Sequence, residues 1–525
     1  MTVNTVRDML EKAARSVPEK VALTMGARKM SYAQLLENVD RIAAYLTSLS
    51  LPRGSRIGIY SNKSIDQVVA ILAIMSTDYL FVPITRLLKA EQVKHIIDDA
   101  GIECIVTDRS KIGNIREIDF EGRIISYEAC EESDVSFEEI CKCYPPSVEC
   151  DLRSHANAAI TYSFGSQGNP KGIVIDHRAF SDGARIVSAY LGLEESDIIS
   201  GILSFNLDYG LNQIFVTLHM KATLAIHPFT LSSSFFDHII NDRVSVLPLM
   251  PIHITRIFDD DPHRIPHPEH LKHLRIITSS GGNVTPLMLK NIRTHFPDAL
   301  FYSMHGLTEA FRSAYLDPSE LSVRPHSIGK AIPDVELYII DEEGNECKPG
   351  EIGELIHRGA CIYRGYWNAP EESAKRFKSI SILDKVIRPE GKLIDEIVVA
   401  SGDFVYRDEE GFIYFVSRKD DMIKTRGFRV SPYEIESVVF KYLQSITECA
   451  VFSIPDDEIE EEIVMVYGAK EPIPVKEIVF ELKKHLPNYM IPGQIFYRKS
   501  MPLKSLHGKE IDKEELRKEI LKELS

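Results

Sequence analysis

Two rhythms of apolar residues alternate along the first several hundred positions. Tyr32, Leu35, Leu36, Val39 and Ile42 recur at helical spacing after Ser31, a residue type that opens helices. Thr5 to Ala14 predicts a helix before it. Arg56-Ile57-Gly58-Ile59-Tyr60 has the short apolar run of a buried strand. A helix pattern follows at Gln67 to Ser76, then strand patterns at Tyr79 to Ile84 and, after Gly101, at Glu103-Cys104-Ile105-Val106. Strand and helix in alternation predict parallel sheets covered by helices.

The rhythm then changes. Cys130 to Asp151 is acidic, contains cysteine and proline, and shows no period, so it reads as a connector. After Pro349 come short strands with turns, Gly353 to His357 and Gly411 to Phe415. From about Asp421 a compact unit follows, with an acidic loop from Asp456 to Glu462, a strand at Ile463 to Tyr467 and a helix at Val475 to His485. A domain boundary is expected near Asp420, dividing the chain into 1–419 and 420–525.

Composition narrows this picture. A chain of 525 residues exceeds one ordinary core and predicts roughly three to four core-sized units. The 44% hydrophobic and 26% charged content is ordinary for a globular protein and argues against wholesale disorder. A formal charge of -16 opposes non-specific binding to nucleic acid or anionic membrane. Val68 to Met75, one of the longer apolar stretches, is far too short to cross a bilayer, so a cytoplasmic protein is expected. The eight cysteines are too scattered for a disulfide framework. Cys141, Cys143 and Cys150 cluster, as do His263, His267, His270 and His273. Neither set has a clear metal-ligand spacing, and both read first as solvated segments.

The first chemical signal is Thr161-Tyr162-Ser163-Phe164-Gly165-Ser166-Gln167-Gly168-Asn169-Pro170-Lys171-Gly172, between strand patterns at Ala158 to Ile160 and Ile173 to Ile175. A loop rich in Gly and Ser lets backbone N–H groups and hydroxyls approach phosphate oxygens, and Lys171 adds charge. It is not a Walker A loop, because no Ser or Thr follows the lysine and no helix begins there. A plain hairpin turn is the competing reading.

Further segments follow in order: His305-Gly306-Leu307-Thr308-Glu309, Gly353-Glu354-Leu355 with Gly365-Tyr366-Trp367 and Pro370-Glu371, and Ser401-Gly402-Asp403 with Gly411-Phe412. Then come Ser417-Arg418-Lys419-Asp420-Asp421-Met422-Ile423-Lys424 with Gly427-Phe428-Arg429-Val430, and Gly508-Lys509. In this order they resemble the superfamily of acyl-CoA synthetases, non-ribosomal peptide adenylation domains and firefly-type luciferases, over nearly the whole chain. Ser163, Phe164 and Gln167 stand where that pattern has Thr, Ser and Thr, and His305 stands where it has Tyr.

The resemblance implies an α/β fold. It has a large N-terminal domain of parallel helix-covered sheets plus a β-barrel-like subdomain, and a small mobile α+β C-terminal domain hinged at Asp420. It implies an ATP- and Mg²⁺-dependent ligase that joins a carboxylic acid to AMP, releases pyrophosphate, and passes the acyl group to a thiol of coenzyme A or a phosphopantetheine carrier protein. Ser163, Gly165, Ser166, Gly168, Lys171, Gly282, His305, Asp403 and Arg418 are then the implied ATP/AMP-binding residues. Thr308 addresses the α-phosphate, Glu309 is the implied Mg²⁺ ligand, and Lys509 and Lys424 serve the two half-reactions. These roles suit the chemistry, because two anions approach and cations must offset their repulsion.

Substrate choice is expected between Ser204 and Glu309. Asp208, Phe205, Gly281 and Met304 are the implied pocket residues, with Met250, Ile252, Ser279, Gly282 and Asn283 nearby. Asp208 lies in a segment similar to the Phe-Asp stretch of amino-acid-activating members, so it could pair with a substrate ammonium. It could equally cap the helix starting at Tyr209. Amino or β-amino acids are slightly favoured over fatty or aryl acids. No carrier-protein sequence follows Lys509, so the acceptor is expected to be a separate molecule. A nucleotide sensor of the same fold without catalysis is the rival reading.

Overall fold

The computed structural model describes residues 5–86, 88, 90–147, 152–163, 170–227, 234–259, 265–282, 284–387, 396–418, 421, 423–425, 428–456, 460–503 and 511–524. Of the residues named above, Cys150, Asp151, Phe164, Gly165, Ser166, Gln167, Gly168, Asn169, His263, Asn283, Lys419, Asp420, Met422, Gly427, Gly508 and Lys509 lie outside them, as do the side chains of Ser163, Lys424, Phe428 and Arg429.

An eight-stranded sheet comes largely from the first third of the chain. Arg56–Tyr60 lies between Leu80–Ile84 and Ile102–Thr107 and is parallel to both. Helix Ile65–Ile74 links the first two strands and is buried at every position except Asp66, which explains its unbroken apolar run. Asn157–Ser163 pairs parallel with Leu80–Ile84 and antiparallel with Lys171–Asp176. The Gly/Ser-rich segment therefore joins two neighbouring strands.

The expected connector is more regular than its pattern suggests. It holds a strand at Val135–Ser136 and a helix at Phe137–Cys143 that opens with a Ser136–Glu139 capping box. Only Phe137 and Ile140 of that helix are buried, too few to set a period.

A fourteen-stranded sheet carries the centre of the molecule. Ile198–Gly201, Thr223–Ile226, Val246–Leu249, Ile276–Ser279 and Leu300–His305 are parallel. Direction reverses at Ala314–Leu316, and antiparallel pairing runs through Ser327–Ala331, Ile413–Arg418, Ile397–Arg407 and Gly353–Gly359 to Val335–Ile340. The short strands expected to form a barrel-like subdomain thus extend the parallel sheet. Val335–Ile340 and Arg28–Ser31 end opposite edges of that sheet, so it stays open. Continuity through Ala314–Leu316 is the reason: a strand hydrogen-bonded to the parallel sheet on one side is not available to close a barrel.

A five-stranded sheet begins at Ile423 and has its own apolar layers. Ile435, Val451, Met465 and Ile478 pack on one face, under helices Pro432–Tyr442 and Val475–Leu482. Phe452, Val464, Leu516 and Ile520 pack on the other, under helix Lys513–Leu524. Among the described residues no helix is long and apolar enough to cross a membrane.

Candidate active site

The segment His305 to Glu309 leaves the C-terminal end of strand Leu300–His305, where the sheet changes from parallel to antiparallel. A crevice at such a reversal is a common ligand site in open α/β sheets. Backbone hydrogen bonds fix the turn: Leu307 N–H donates to Ala310 O at 2.9 Å, and Ser313 N–H to His305 O at 3.0 Å. Gly306 is compulsory, since a Cβ there would lie 2.6 Å from Phe311 O.

Thr308 is exposed at the tip, while Glu309 is buried. Two residues hold the Glu309 carboxylate. The Tyr366 hydroxyl donates to Oε1 at 2.5 Å, and Arg376 Nε lies 3.7 Å from the same oxygen. Burial first, and then the Glu309 charge, push the Tyr366 phenol well up, so it stays a donor. Neither Tyr366 nor Arg376 was assigned a role from sequence. Tyr366 lies in the Gly365-Tyr366-Trp367 segment singled out there; Arg376 had no signal.

Asp403 and Arg418 face each other on antiparallel strands. Asp403 is buried, its N–H donating to Ser401 Oγ at 3.0 Å. Its carboxylate lies 3.3 Å from His305 Nε2 and 3.8 Å from Arg418 Nε, and the Arg418 side chain is 70% exposed. The His305 contact lacks hydrogen-bond geometry, which leaves Nε2 without a partner. Next to Asp403, Gly402 has φ +70° and leaves room for the Arg376 guanidinium, which a Cβ would strike at 1.7 Å. Glu309, Asp403 and His305 are thus joined through Arg376 and one reversal of the sheet.

Lys171 opens strand Lys171–Asp176 at the far end of the Gly/Ser-rich segment and pairs with Glu372 at 3.0 Å. That pair exists because Gly365–Tyr366 adds to the same strand, placing helix Pro370–Arg376 beside it. Lys375 and then Lys171 pull the Glu372 carboxyl down to about 2.

The candidate acid pocket is less uniform. Met304 is buried, with the Tyr190 hydroxyl 2.9 Å from its sulfur. Gly281 has φ +82°, and a Cβ there would lie 2.8 Å from the Met250 methyl; one on Gly282 would lie 3.2 Å from Pro251 Cγ. Ser279 is fully buried and its hydroxyl has no partner. Phe205 is a core residue against Gly201, beneath the Lys63 ammonium. Asp208 starts helix Asp208–Met220, and its Oδ1 accepts the Tyr209 N–H at 2.6 Å.

A buried hydroxyl and imidazole nitrogen without partners, beside a buried carboxylate and a turn that excludes a Cβ, suit a polar ligand. Residues 10–367 match the family described as AMP-binding enzyme. The chain belongs to the AMP-binding enzyme family. It is 26% identical over 510 residues to tyrocidine synthase 1 of Brevibacillus parabrevis, covering 95% of this chain and 44% of that protein. This AMP-binding enzyme therefore spans less than half the length of that relative. Its fold matches ATP-bound MatB from Rhodopseudomonas palustris, with TM-score 0.85, 22% identity and coverage of 98% and 99%. It also matches o-succinylbenzoate CoA synthetase from Bacillus subtilis in complex with its acyl-adenylate, with TM-score 0.81, 22% identity and 97% coverage of both chains. Glu309 and Thr308 fit a Mg²⁺–phosphate unit: one is a buried hard oxygen donor, the other an exposed hydroxyl on the same turn.

Among the described residues the one cluster with metal-ligand geometry is His227, His238 and Asp242, which neither cysteine nor histidine count anticipated. His227 is committed already, Nε2 to Asp242 at 2.7 Å and Nδ1 to Ser200 at 3.3 Å.

Proposed function

We propose that this AMP-binding enzyme is an AMP-forming ligase, which adenylates a short carboxylic acid with ATP and transfers it to a thiol of coenzyme A or of a phosphopantetheine carrier. The observation that carries the reading is the buried Glu309 on its glycine turn, linked through Arg376 to Gly402 and the buried Asp403. Asp403, acceptor-only when ionised, would take both ribose hydroxyls. His305 would lie against the adenine. Lys171, released from Glu372, would reach phosphate oxygens, and Thr308 would donate to the α-phosphate. A divalent cation on Glu309 would offset charge as the carboxylate attacks.

Residues 420–525 would turn about Asp420 between the two half-reactions. Lys509 enters the site for adenylation, and the face with Lys424 replaces it for thiol transfer. Asp208 is the first residue of its helix, whose cap position is Leu207 and which has no side-chain cap bond, so it does not cap a helix starting at Tyr209; acids without an amino group stand first in this reading. Amino acids stand second, supported by the name of tyrocidine synthase 1.

The test is carboxylate-dependent ATP–pyrophosphate exchange with Mg²⁺ across α-amino, β-amino, fatty, aryl and dicarboxylic acids. Exchange with one class supports the reading, whereas ATP binding without any exchange returns the chain to the sensor reading. Lys509→Ala is expected to abolish exchange yet spare thioester formation from supplied acyl-adenylate. Equal loss in both assays would end the two-state account.

A further inference from the structure

Arg312, three residues beyond Glu309, is 3% exposed. Its guanidinium lies between two aromatic faces, 4.2 Å from the Phe311 ring centroid and 4.6 Å from that of Tyr209. Nη1 donates to Phe311 O at 2.8 Å, while Nε is buried and has no partner. Among the described residues no carboxylate pairs with it. Of the groups around it, burial pushes Tyr209 and Cys361 up to about 12 and raises Tyr190 and Tyr363 further, so these four stay neutral, while the charges of Asp208 and Asp182 act on Tyr363 and Cys361 from the same surroundings. Cation–π contacts contribute roughly 0.5–2 kcal/mol each. Burying an ion costs several kcal/mol, so a buried, unpaired arginine is a standing deficit.

The guanidinium borders a cavity of about 10 Å³. Its polar walls are Tyr209, Asn212, Gln213 and Thr278, with Met304 at its edge. That volume holds about one water-sized atom. Tyr209 and Thr278 satisfy each other at 2.6 Å, and Gln213 Nε2 donates to Tyr209 O at 3.0 Å, which leaves Arg312 as the charged wall. Met304 ties this cavity to the acid pocket. Arg312 also reaches under the nucleotide turn, with Nη1 3.2 Å from where a Gly306 Cβ would stand. Reaction centre and guanidinium are therefore close.

Resting on the ligase reading above, we infer that Arg312 is a specificity-determining residue, and that the acid is short and carries a second, anionic oxygen group at its far end. The incoming oxygen occupies the small cavity and supplies the missing countercharge. A site built for a polar partner rejects analogues that lack it, because its own buried group is then left unpaired. Alkyl and aryl acids of equal length lack that group.

Pyrophosphate exchange with the wild-type protein on length-matched pairs tests this, succinate against butyrate and glutarate against valerate. The diacid of each pair is expected to win by roughly 10²-fold or more in kcat/KM. Arg312→Met is expected to erase that preference, and Arg312→Lys to keep part of it. Thermal shift with diacid reads binding apart from chemistry. Wild-type preference for butyrate or valerate overturns the inference and leaves the ligase reading standing, whether or not the variants fold. So does a diacid preference that survives in folded Arg312→Met. No exchange with any acid and no diacid-dependent thermal shift overturns both.

Discussion

The floor and the rim of the candidate site are built in opposite ways. On the floor, anionic groups are buried and anchored: Glu309 by Tyr366 and Arg376, and Asp403 on a central strand. At the rim, cations are exposed: Lys171 is 46% exposed against Glu372, and Arg418 is 70% exposed, 3.8 Å from Asp403. The difference follows from solvation. A buried carboxylate must be held by donors or it takes up a proton, whereas an exposed ammonium is solvated and exchanges partners at little cost. The floor is thus fixed by its own donors, while the rim exchanges partners with solvent.

The sharpest way to break this contrast is Glu309→Gln. It keeps the Tyr366 contact but removes the charge. Pyrophosphate exchange is expected to fall roughly 10²–10³-fold. Loss of less than tenfold would mean that the floor carboxylate is structural.

Acid titration separates the two regions by range, both losing stability as pH falls. His357 supports the floor through Ser313, whose N–H bonds His305 O. Its Nε2–H donates to Ala360 O at 2.8 Å, Nδ1 accepts from Ser313 Oγ at 2.9 Å, and burial drives its pKa down to about 4. The fold favours the neutral ring. That stability is full above the ordinary histidine value of about 6.5 and is lost as pH falls toward 4. Glu372 is depressed to about 2, so the rim pair holds above the ordinary carboxylate value and fails only as pH falls toward 2. Between pH 6.5 and 4.5 the melting temperature is expected to drop while the rim pair persists. His357→Gln is expected to flatten only part of that slope, because His177 is lowered to about 4 as well. An unchanged slope in that variant would remove His357 from the account.

How far these regions were legible in sequence follows the same division. The turn from His305 to Glu309 and the Asp403 strand stood out through the ordered motifs they share with a known superfamily; taken alone, both carboxylates read as turn or helix caps. The alternating rhythm likewise read out the parallel strands. Arg376 and Glu372 left no signature. They reach the site because Gly365–Tyr366 pairs with a strand some 190 residues earlier, Gly365 opposite Val174, a non-local choice that spacing does not encode. Arg312 stayed hidden because its role depends on two aromatic faces and a missing countercharge. The open sheet was missed for a related reason: short strands read alike whether they close on each other or extend a neighbour.

Tyr366→Phe sharpens the contrast within the floor. It removes one donor from Glu309 and leaves Arg376. A hydrogen bond to a charged group is worth roughly 1.5–3 kcal/mol, and a bound cation would replace part of it. The expected result is a shift of about threefold to tenfold in the Mg²⁺ concentration giving half-maximal exchange, with kcat nearly unchanged. A fall in kcat at saturating Mg²⁺ would place the hydroxyl in the chemical step.

The smallest effect belongs to the rim. Glu372→Gln removes the partner that holds Lys171 away from phosphate, while Lys375 remains nearby. The pair is exposed and solvent-screened, so the melting temperature is expected to stay within error. The KM for ATP is expected to fall by less than about threefold, since one exposed ion pair no longer competes with the ligand. Salt should reproduce the effect in the wild type by weakening the same pair, and should change the variant less. A KM that rises in Glu372→Gln would reverse the argument: Glu372 would then be orienting Lys171 toward phosphate, and the rim would be preorganised like the floor.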